Sequence, residues 1–189
     1  MLKWINSRCH LLSLAGMFCF ISPWSFSVSA ADIALPQGLI NLSVKPAADL
    51  VLKDMDGKTF NLKEHKGHWV FVHFWATWCG PCRREMPTIQ KLAETITADA
   101  KLSGKLEIVL VNTAEDDDRV FSFLGIVAPD LNPLMDYDGL VTEHWQPRGI
   151  PSSFFIDPQG QQRFLALGGR NWTEPQYLDF IKQLLVNDR

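Results

Sequence analysis

The chain lacks an extreme composition, a large net charge and a second pair of zinc-ligand residues. Of its 189 residues, 47% are hydrophobic and 21% are charged, which excludes a disordered or collagen-like chain. Eighteen Lys and Arg against 21 Asp and Glu give a net charge of −3, so no nucleic-acid partner is expected. The chain has four cysteines but no second Cys/His pair at the spacing of zinc ligands, so no metal site is expected.

The apolar residues are concentrated at the start of the chain. Lys3 and Arg8 precede an apolar run at 11–21, and small residues follow at 27–31. A basic, an apolar and a small-residue segment in this order are typical of a secretory signal peptide. The apolar run is about half of the ~20 residues that span a bilayer. We predict that 1–30 is cleaved on export to the periplasm, the alternative being an inner-membrane anchor.

Cleavage would remove Cys9 and Cys19 and leave Cys79 and Cys82. A chain of the remaining size buries roughly 70% of its extended surface, so it needs no disulfide framework in order to fold. Export places the chain in an oxidising compartment, where thiols tend to pair. The two remaining cysteines therefore indicate chemistry rather than a structural scaffold.

Apolar periodicity predicts a mixed α/β domain. Short apolar runs at 50–52 and 59–62 flank an Asp-Gly turn and predict a hairpin. Near-continuous apolar runs at 70–75 and 106–111 predict strands buried on both faces, with a helix at 80–98 between them. The other predicted elements are a helix after the acidic triplet 116–118, a short helix at 140–145, strands at 153–156 and 163–167, and a helix at 175–186. Together they predict a mixed sheet sandwiched between helices.

The motif that carries chemistry joins the first buried strand to the helix, as Trp78-Cys79-Gly80-Pro81-Cys82. Cysteines three residues apart can close a disulfide across one helical turn, and the helix N-terminus favours a thiolate at Cys79. Pro81 suits the first helical turn, and Trp78 can shield one side of the pair. We predict thiol–disulfide exchange, because a structural disulfide that closes so short a loop would remove little unfolded-state entropy.

The segment 74–87 resembles the active-site segment of the thioredoxin superfamily, and its second half, 83–87, resembles the periplasmic TlpA/ResA/CcmG (DsbE) branch. The resemblance covers about 46–186. It implies a thioredoxin-like three-layer α/β/α sandwich with a mixed central sheet, an N-terminal β-hairpin and a central insertion. We expect this domain at 46–189, preceded by an extended leader at 31–45.

The resemblance also implies roles for single residues. Cys79 matches the nucleophile and Cys82 the resolving thiol, with Trp78, Gly80 and Pro81 supporting the pair. Two further matches are Pro87, the proline that kinks the active-site helix, and Ile150-Pro151, in the loop whose proline is cis and faces the cysteines.

Glu85 stands one helical turn after Cys82, on the same helical face. A glutamate there is a candidate proton relay in this branch, and a solvent-facing carboxylate is an equally open interpretation. His73 stands where thioredoxin itself has a buried Asp, which gives Glu85 more weight; a core histidine with satisfied hydrogen bonds is the alternative. Arg83 and Arg84 either steer acidic partners or are simply exposed.

The expected function is an exported protein-disulfide reductant of client proteins, of the cytochrome c maturation or copper-site assembly type. We expect a monomer without cofactor, recharged by a membrane thiol-transfer protein similar to DsbD or CcdA. The alternative is a copper chaperone that binds Cu(I) through Cys79, Cys82 and a histidine such as His144. A peroxidase of the peroxiredoxin class is not expected, because Ala76 stands three residues before Cys79, where that class has Thr or Ser.

Overall fold

The computed structural model describes residues 34–187, so the predicted signal peptide at 1–30 lies outside the described residues. The described chain forms one eight-stranded mixed sheet with helices packed on both faces. None of its helices within 34–187 is long and apolar enough to cross a membrane. In chain order the elements are β1 (Leu39–Pro46), β2 (Val51–Asp54), β3 (Thr59–Asn61), β4 (Trp69–Trp75), α1 (Gly80–Ala98), β5 (Leu106–Thr113), α2 (Asp117–Val127), β6 (Leu134–Asp136), α3 (Leu140–Trp145), β7 (Ser152–Ile156), β8 (Gln161–Leu167) and α4 (Pro175–Asn187).

The strands lie in the order β1-β8-β7-β4-β5-β6-β2-β3. β4, β5 and β6 are parallel, and the other neighbouring pairs are antiparallel. Every residue of β4 is buried, because this strand is covered on both faces. Phe71 packs in the layer that contains α1, α2 and α4, and Val72 packs in the layer that contains α3. The predicted α/β/α sandwich with a mixed sheet is therefore confirmed.

The two edges of the sheet differ in how well the sequence predicts them. The predicted hairpin is present as β2 and β3, which pair antiparallel and join the sheet through β6. The segment 31–45, expected as a leader outside the domain, instead contains most of β1, which pairs with β8 from Leu39 opposite Ala166 to Pro46 opposite Gln161. Most of β1 is exposed, so it lacks the apolar alternation that would have marked it as a strand.

The turn from β4 into α1 places the cysteine motif at one end of the sheet. β4 ends at Trp75, and α1 begins at Gly80 with Cys79 as its N-cap. Pro81 lies in the first turn, where its missing N–H costs no helical hydrogen bond. Pro87 lies inside the helix and is exposed, and a proline there removes one i→i−4 hydrogen bond.

Candidate active site

Cys79 and Cys82 are joined by a disulfide, with their Cα atoms 5.2 Å apart. Cys79 Sγ accepts a hydrogen bond from the backbone N–H of Cys82 at 3.2 Å. The free N–H groups and the helix dipole at this end of α1 stabilise negative charge on Cys79. Both cysteines are buried, at 5% exposed for Cys79 and 0% exposed for Cys82, so Cys79 is the less enclosed of the two.

The surroundings of Cys79 combine an exposed aromatic side chain with a tightly packed loop. Trp78 is 64% exposed, and Gly80 and Pro81 are exposed as well. The loop between β8 and α4 packs against this segment at Gly169, where a Cβ atom would lie 2.9 Å from Pro81 Cβ and 3.2 Å from the Pro81 carbonyl oxygen. Glycine at 169 is therefore required for this close approach.

The loop before β7 reaches the same end of the sheet. The peptide bond between Ile150 and Pro151 is cis. Ser152, the next residue, lies opposite Phe74 near the end of β4, so Pro151 lies at the end of the sheet that carries Cys79. The Gly168 N–H donates to the Pro151 carbonyl at 3.0 Å, which joins this loop to the one between β8 and α4.

A buried carboxylate fixes the backbone just before the cysteines. Glu115 accepts hydrogen bonds from the Thr77 N–H at 2.7 Å, from Thr77 Oγ1 at 2.5 Å and from Asn112 Nδ2 at 2.8 Å. The Arg119 guanidinium lies 3.9 Å from the same carboxylate. Glu115 therefore links the end of β5 to Thr77. Cys79 follows Thr77 by two residues, so this link fixes the segment that leads into the cysteine motif.

Glu85 is 1% exposed, so the interpretation of it as a solvent-facing carboxylate is wrong. Trp172 donates its indole N–H to Glu85 Oε1 at 2.6 Å. Burial raises the pKa of Glu85 to about 8, although the Trp172 hydrogen bond and the nearby Arg170 act in the opposite direction. A carboxyl group with such a pKa can exchange a proton with a thiol near neutral pH.

His73 faces Glu85 from β4. Its Nδ1 lies 2.8 Å from Ser153 Oγ, and its Nε2 lies 4.0 Å from Glu85 Oε2. Among the described residues, His73 Nε2 and Glu85 Oε2 both lack a hydrogen-bond partner. Burial, assisted by the positive charge of Arg170, lowers the pKa of His73 to about 3, so its ring is neutral near pH 7. The interpretation as a fully satisfied core histidine is therefore wrong.

The remaining candidates lie at the surface. Arg83 is exposed and packs its guanidinium 5.0 Å from the centre of the Phe123 ring, and Arg84 is exposed. His144 is exposed on α3.

Within 34–187, no three or more His, Cys, Asp or Glu side chains are grouped so that they could hold a metal ion. Ala76 is buried and supplies no hydroxyl group.

Sequence reasoning missed four residues of this site, namely Glu115, Ser153, Arg170 and Trp172. Glu115 offered a weak signal, since it lies two residues after the parallel strand β5 and the ends of such strands gather at one edge of a sheet. The other three offered none, because their contacts with the site depend on the packing of β7 and of the loop before α4.

Comparison with known proteins gives consistent results. The AhpC/TSA family matches residues 44–164. The thiol-disulfide oxidoreductase ResA of Bacillus subtilis (strain 168) is 31% identical over 135 residues, which cover 71% of this chain and 72% of that protein. ResA of Bacillus thuringiensis subsp. konkukian is 33% identical over 140 residues, covering 74% and 77%. The crystal structure of a protein assigned as thiol:disulfide interchange protein DsbE from Chlorobium tepidum is similar with a TM-score of 0.65 and 26% identity, covering 80% of this chain and 99% of that one.

Proposed function

Because the chain belongs to the AhpC/TSA family and is a thiol-disulfide oxidoreductase of the thioredoxin-like kind, we propose that it acts as an exported reductant of client-protein disulfides. The observation that carries this proposal is the asymmetry of the cysteine pair. Cys79 is the N-cap of α1 and retains 5% exposure, whereas Cys82 lies further along the helix and is 0% exposed. An attacking thiolate needs access and stabilisation of its charge, and a resolving thiol needs protection from other disulfides.

The reaction begins with the protein in its dithiol state. The Cys79 thiolate attacks one sulfur of a client disulfide, which breaks the client S–S bond and forms a mixed disulfide. Cys82 then attacks Cys79 Sγ, and the client leaves in reduced form. The proton of the Cys82 thiol passes to the carboxylate of Glu85, one helical turn further along α1.

The loops around Cys79 suit a protein client. Trp78 supplies an exposed apolar contact beside the reactive sulfur, and the backbone of Ile150, before the cis Pro151, can pair with an extended client segment. We expect clients with cysteine pairs, of the cytochrome c maturation or copper-site assembly type. A membrane thiol-transfer protein similar to DsbD or CcdA would recharge the protein, since an oxidising compartment supplies no reductant of its own.

Trapping of mixed disulfides tests this proposal. A Cys82→Ser variant, expressed in cells with its leader intact, should accumulate mixed disulfides at Cys79 that dithiothreitol releases and that identify the clients. The matched Cys79→Ser variant should trap none of them. Export is tested in the same cells by recovery of the processed chain in the periplasmic fraction. Equal trapping by both variants, or none by either, would contradict the proposal.

The direction of electron flow is tested by the reduction potential of the Cys79–Cys82 pair. A reductant is expected to have a potential near that of thioredoxin, about −270 mV. A potential near about −120 mV, in the range of DsbA, would instead assign the protein to disulfide formation.

A further inference from the structure

Two buried polar atoms face each other between β4 and α1. His73 and Glu85 are 0% and 1% exposed, and the unpartnered Nε2 and Oε2 atoms lie 4.0 Å apart. The other polar atom of each side chain is occupied, because Ser153 Oγ lies 2.8 Å from His73 Nδ1 and Trp172 donates to Glu85 Oε1 at 2.6 Å. A buried polar atom without a partner costs about 1–3 kcal/mol, so a purely structural pair is a poor explanation for this arrangement.

We propose that His73 is a positioning residue for Glu85: Ser153 holds the imidazole so that its Nε2 can accept a hydrogen bond from the protonated Oε2 of Glu85 in the disulfide state. Glu85 can then store the proton that Cys82 releases. This inference rests on the proposed function only for the exchange step between Cys79 and Cys82, and it requires no particular client.

One proton and one electron pair move in the exchange step. In the dithiol state Cys82 is a thiol, and the step starts from the molecules in which Glu85 is ionised. When Cys82 attacks Cys79 Sγ in the mixed disulfide, its S–H bond breaks, the proton passes to the Glu85 carboxylate, and the client sulfur leaves with the electron pair of the broken S–S bond. Reduction of the disulfide by an incoming dithiol reverses each step, so Glu85 returns the proton to Cys82.

The neutral state of His73 fits this role. An imidazole that is uncharged near pH 7 has one ring nitrogen free to accept a hydrogen bond, whereas an imidazolium has none. When Nδ1–H donates to Ser153 Oγ, Nε2 is the acceptor, and the 4.0 Å separation needs to close by about 1 Å for a hydrogen bond. Among the described residues, Arg170 on the loop before α4 is the charged group that acts on both His73 and Glu85, and Tyr177 on α4 acts on Arg170. Cys82 lies one turn before Glu85 on α1.

Two substitutions separate the two sides of the imidazole. His73→Gln extends its amide to the place of Nε2 and keeps a polar partner for Glu85. His73→Asn keeps a polar group near Ser153 and has nothing at the place of Nε2. The readout is the infrared difference spectrum between the disulfide and dithiothreitol-reduced states of the purified protein, in which the Glu85 carboxyl band is identified by its loss in Glu85→Gln.

At pH 7 the disulfide state of the unchanged protein should show a protonated, hydrogen-bonded carboxyl band. The band should move to the frequency of a free carboxyl in His73→Asn and stay near its original frequency in His73→Gln. The rate of disulfide closure, measured with oxidised dithiothreitol as the disulfide that accepts the two electrons, should fall about 10-fold in His73→Asn and by no more than about 3-fold in His73→Gln. These factors are a small part of the gain from general acid–base catalysis. An unshifted band in His73→Asn, or no Glu85 band in the unchanged protein, would overturn the inference.

A third variant keeps the inference testable if His73→Asn does not fold. Ser153→Ala retains the imidazole and removes its anchor, so the carboxyl band should broaden and the closure rate should fall. An unchanged band and rate in Ser153→Ala would count against the inference. Since dithiothreitol replaces the client throughout, failure to trap clients would contradict the proposed function and leave this test intact.

Discussion

Trp172 donates its indole N–H to Glu85 Oε1 at 2.6 Å, although the two residues are 87 positions apart in the chain. The loop before α4 that carries Trp172 also carries Gly169, which packs against Pro81. One loop thus contacts the exposed side of the cysteine motif and the buried carboxyl group behind it. The position of this loop therefore affects both the access to Cys79 and the proton chemistry of Glu85.

The raised pKa of Glu85 predicts that the disulfide state loses stability as the pH rises. Its pKa is about 8 in the folded protein against 4.5 for an ordinary glutamate, so the folded state binds more protons between these values. The stabilisation is fully present below pH 4.5 and is lost as the pH rises to 8, at no more than about 1.4 kcal/mol per pH unit. Urea unfolding from pH 6.5 to 8 should show this slope, and Glu85→Gln should abolish it in that range.

The control for Glu85→Gln is Glu94→Gln, which removes an exposed carboxyl group from the same helix. Its nearest cation is Lys91 at 2.8 Å, and Glu94 is ionised throughout the range from pH 5 to 9 because its pKa lies below the ordinary value. The slope should therefore survive in Glu94→Gln. If Glu85→Gln keeps the slope as well, Glu85 is ionised in the folded protein.

The lowered pKa of His73 predicts the opposite pH dependence, in which the folded state gains stability as the pH rises from 3 to 6.5. Its pKa is about 3 in the folded protein against 6.5 for an ordinary histidine, so the unfolded state binds more protons between these values. The stability that this histidine provides is present above pH 6.5 and is lost as the pH falls to 3. Since Glu85 acts in the opposite direction between pH 4.5 and 6.5, the two contributions should nearly cancel there.

Each single variant should uncover the contribution of the other residue within that window. His73→Gln should become less stable as the pH rises from 4.5 to 6.5, and Glu85→Gln should become more stable over the same range. His144→Gln, which changes an exposed histidine, should behave as the unchanged protein. Parallel pH curves for His73→Gln and the unchanged protein would contradict burial of a neutral His73.

Local patterns were sufficient to predict most of the elements and the reactive pair. The helix at 80–98 and the short helix at 140–145 are found at the predicted bounds, because apolar periodicity and end signals lie within each segment. Cys79 and Cys82 were recognised because their spacing and their place at a helix start are local features. Roles for these cysteines beyond their geometry remain a prediction.

Long-range contacts explain what the sequence did not reveal. Thr77 and Glu115 are 38 residues apart and meet only because β4 and β5 run parallel and end at the same edge. The sequence predicts a leader where β1 lies, since an exposed edge strand has little apolar alternation. For His73 the sequence leaves a satisfied core histidine open as one alternative, because only the packing of α1 on β4 shows that Glu85 faces it.

Glu115 predicts a link between stability and exchange rate. Glu115→Ala leaves the buried Thr77 and Asn112 donors without an acceptor, which should lower the free energy of unfolding by about 1–3 kcal/mol. It should also slow exchange at Cys79, because the segment before this residue loses its anchor. Denaturant unfolding and the rate of insulin reduction measure the two effects. Glu107→Ala, at an exposed position of β5, should change neither, and a normal rate in Glu115→Ala would contradict the anchoring role.

Gly169 gives a steric test of the contact between the loop before α4 and the cysteine motif. In Gly169→Ala the new methyl group would lie 2.9 Å from Pro81 Cβ and 3.2 Å from the Pro81 carbonyl oxygen, so the loop or the motif must shift. Overpacking of this kind costs about 1–3 kcal/mol, and a displaced motif should reduce insulin about 10-fold more slowly. Gly125→Ala is the matched control, because no atom lies within 4 Å of its added Cβ and alanine favours the helix by up to about 1 kcal/mol. Equal stability and equal rate in Gly169→Ala and Gly125→Ala would mean that the loop accommodates the methyl group without cost. The inference that the position of this loop affects access to Cys79 would then be wrong.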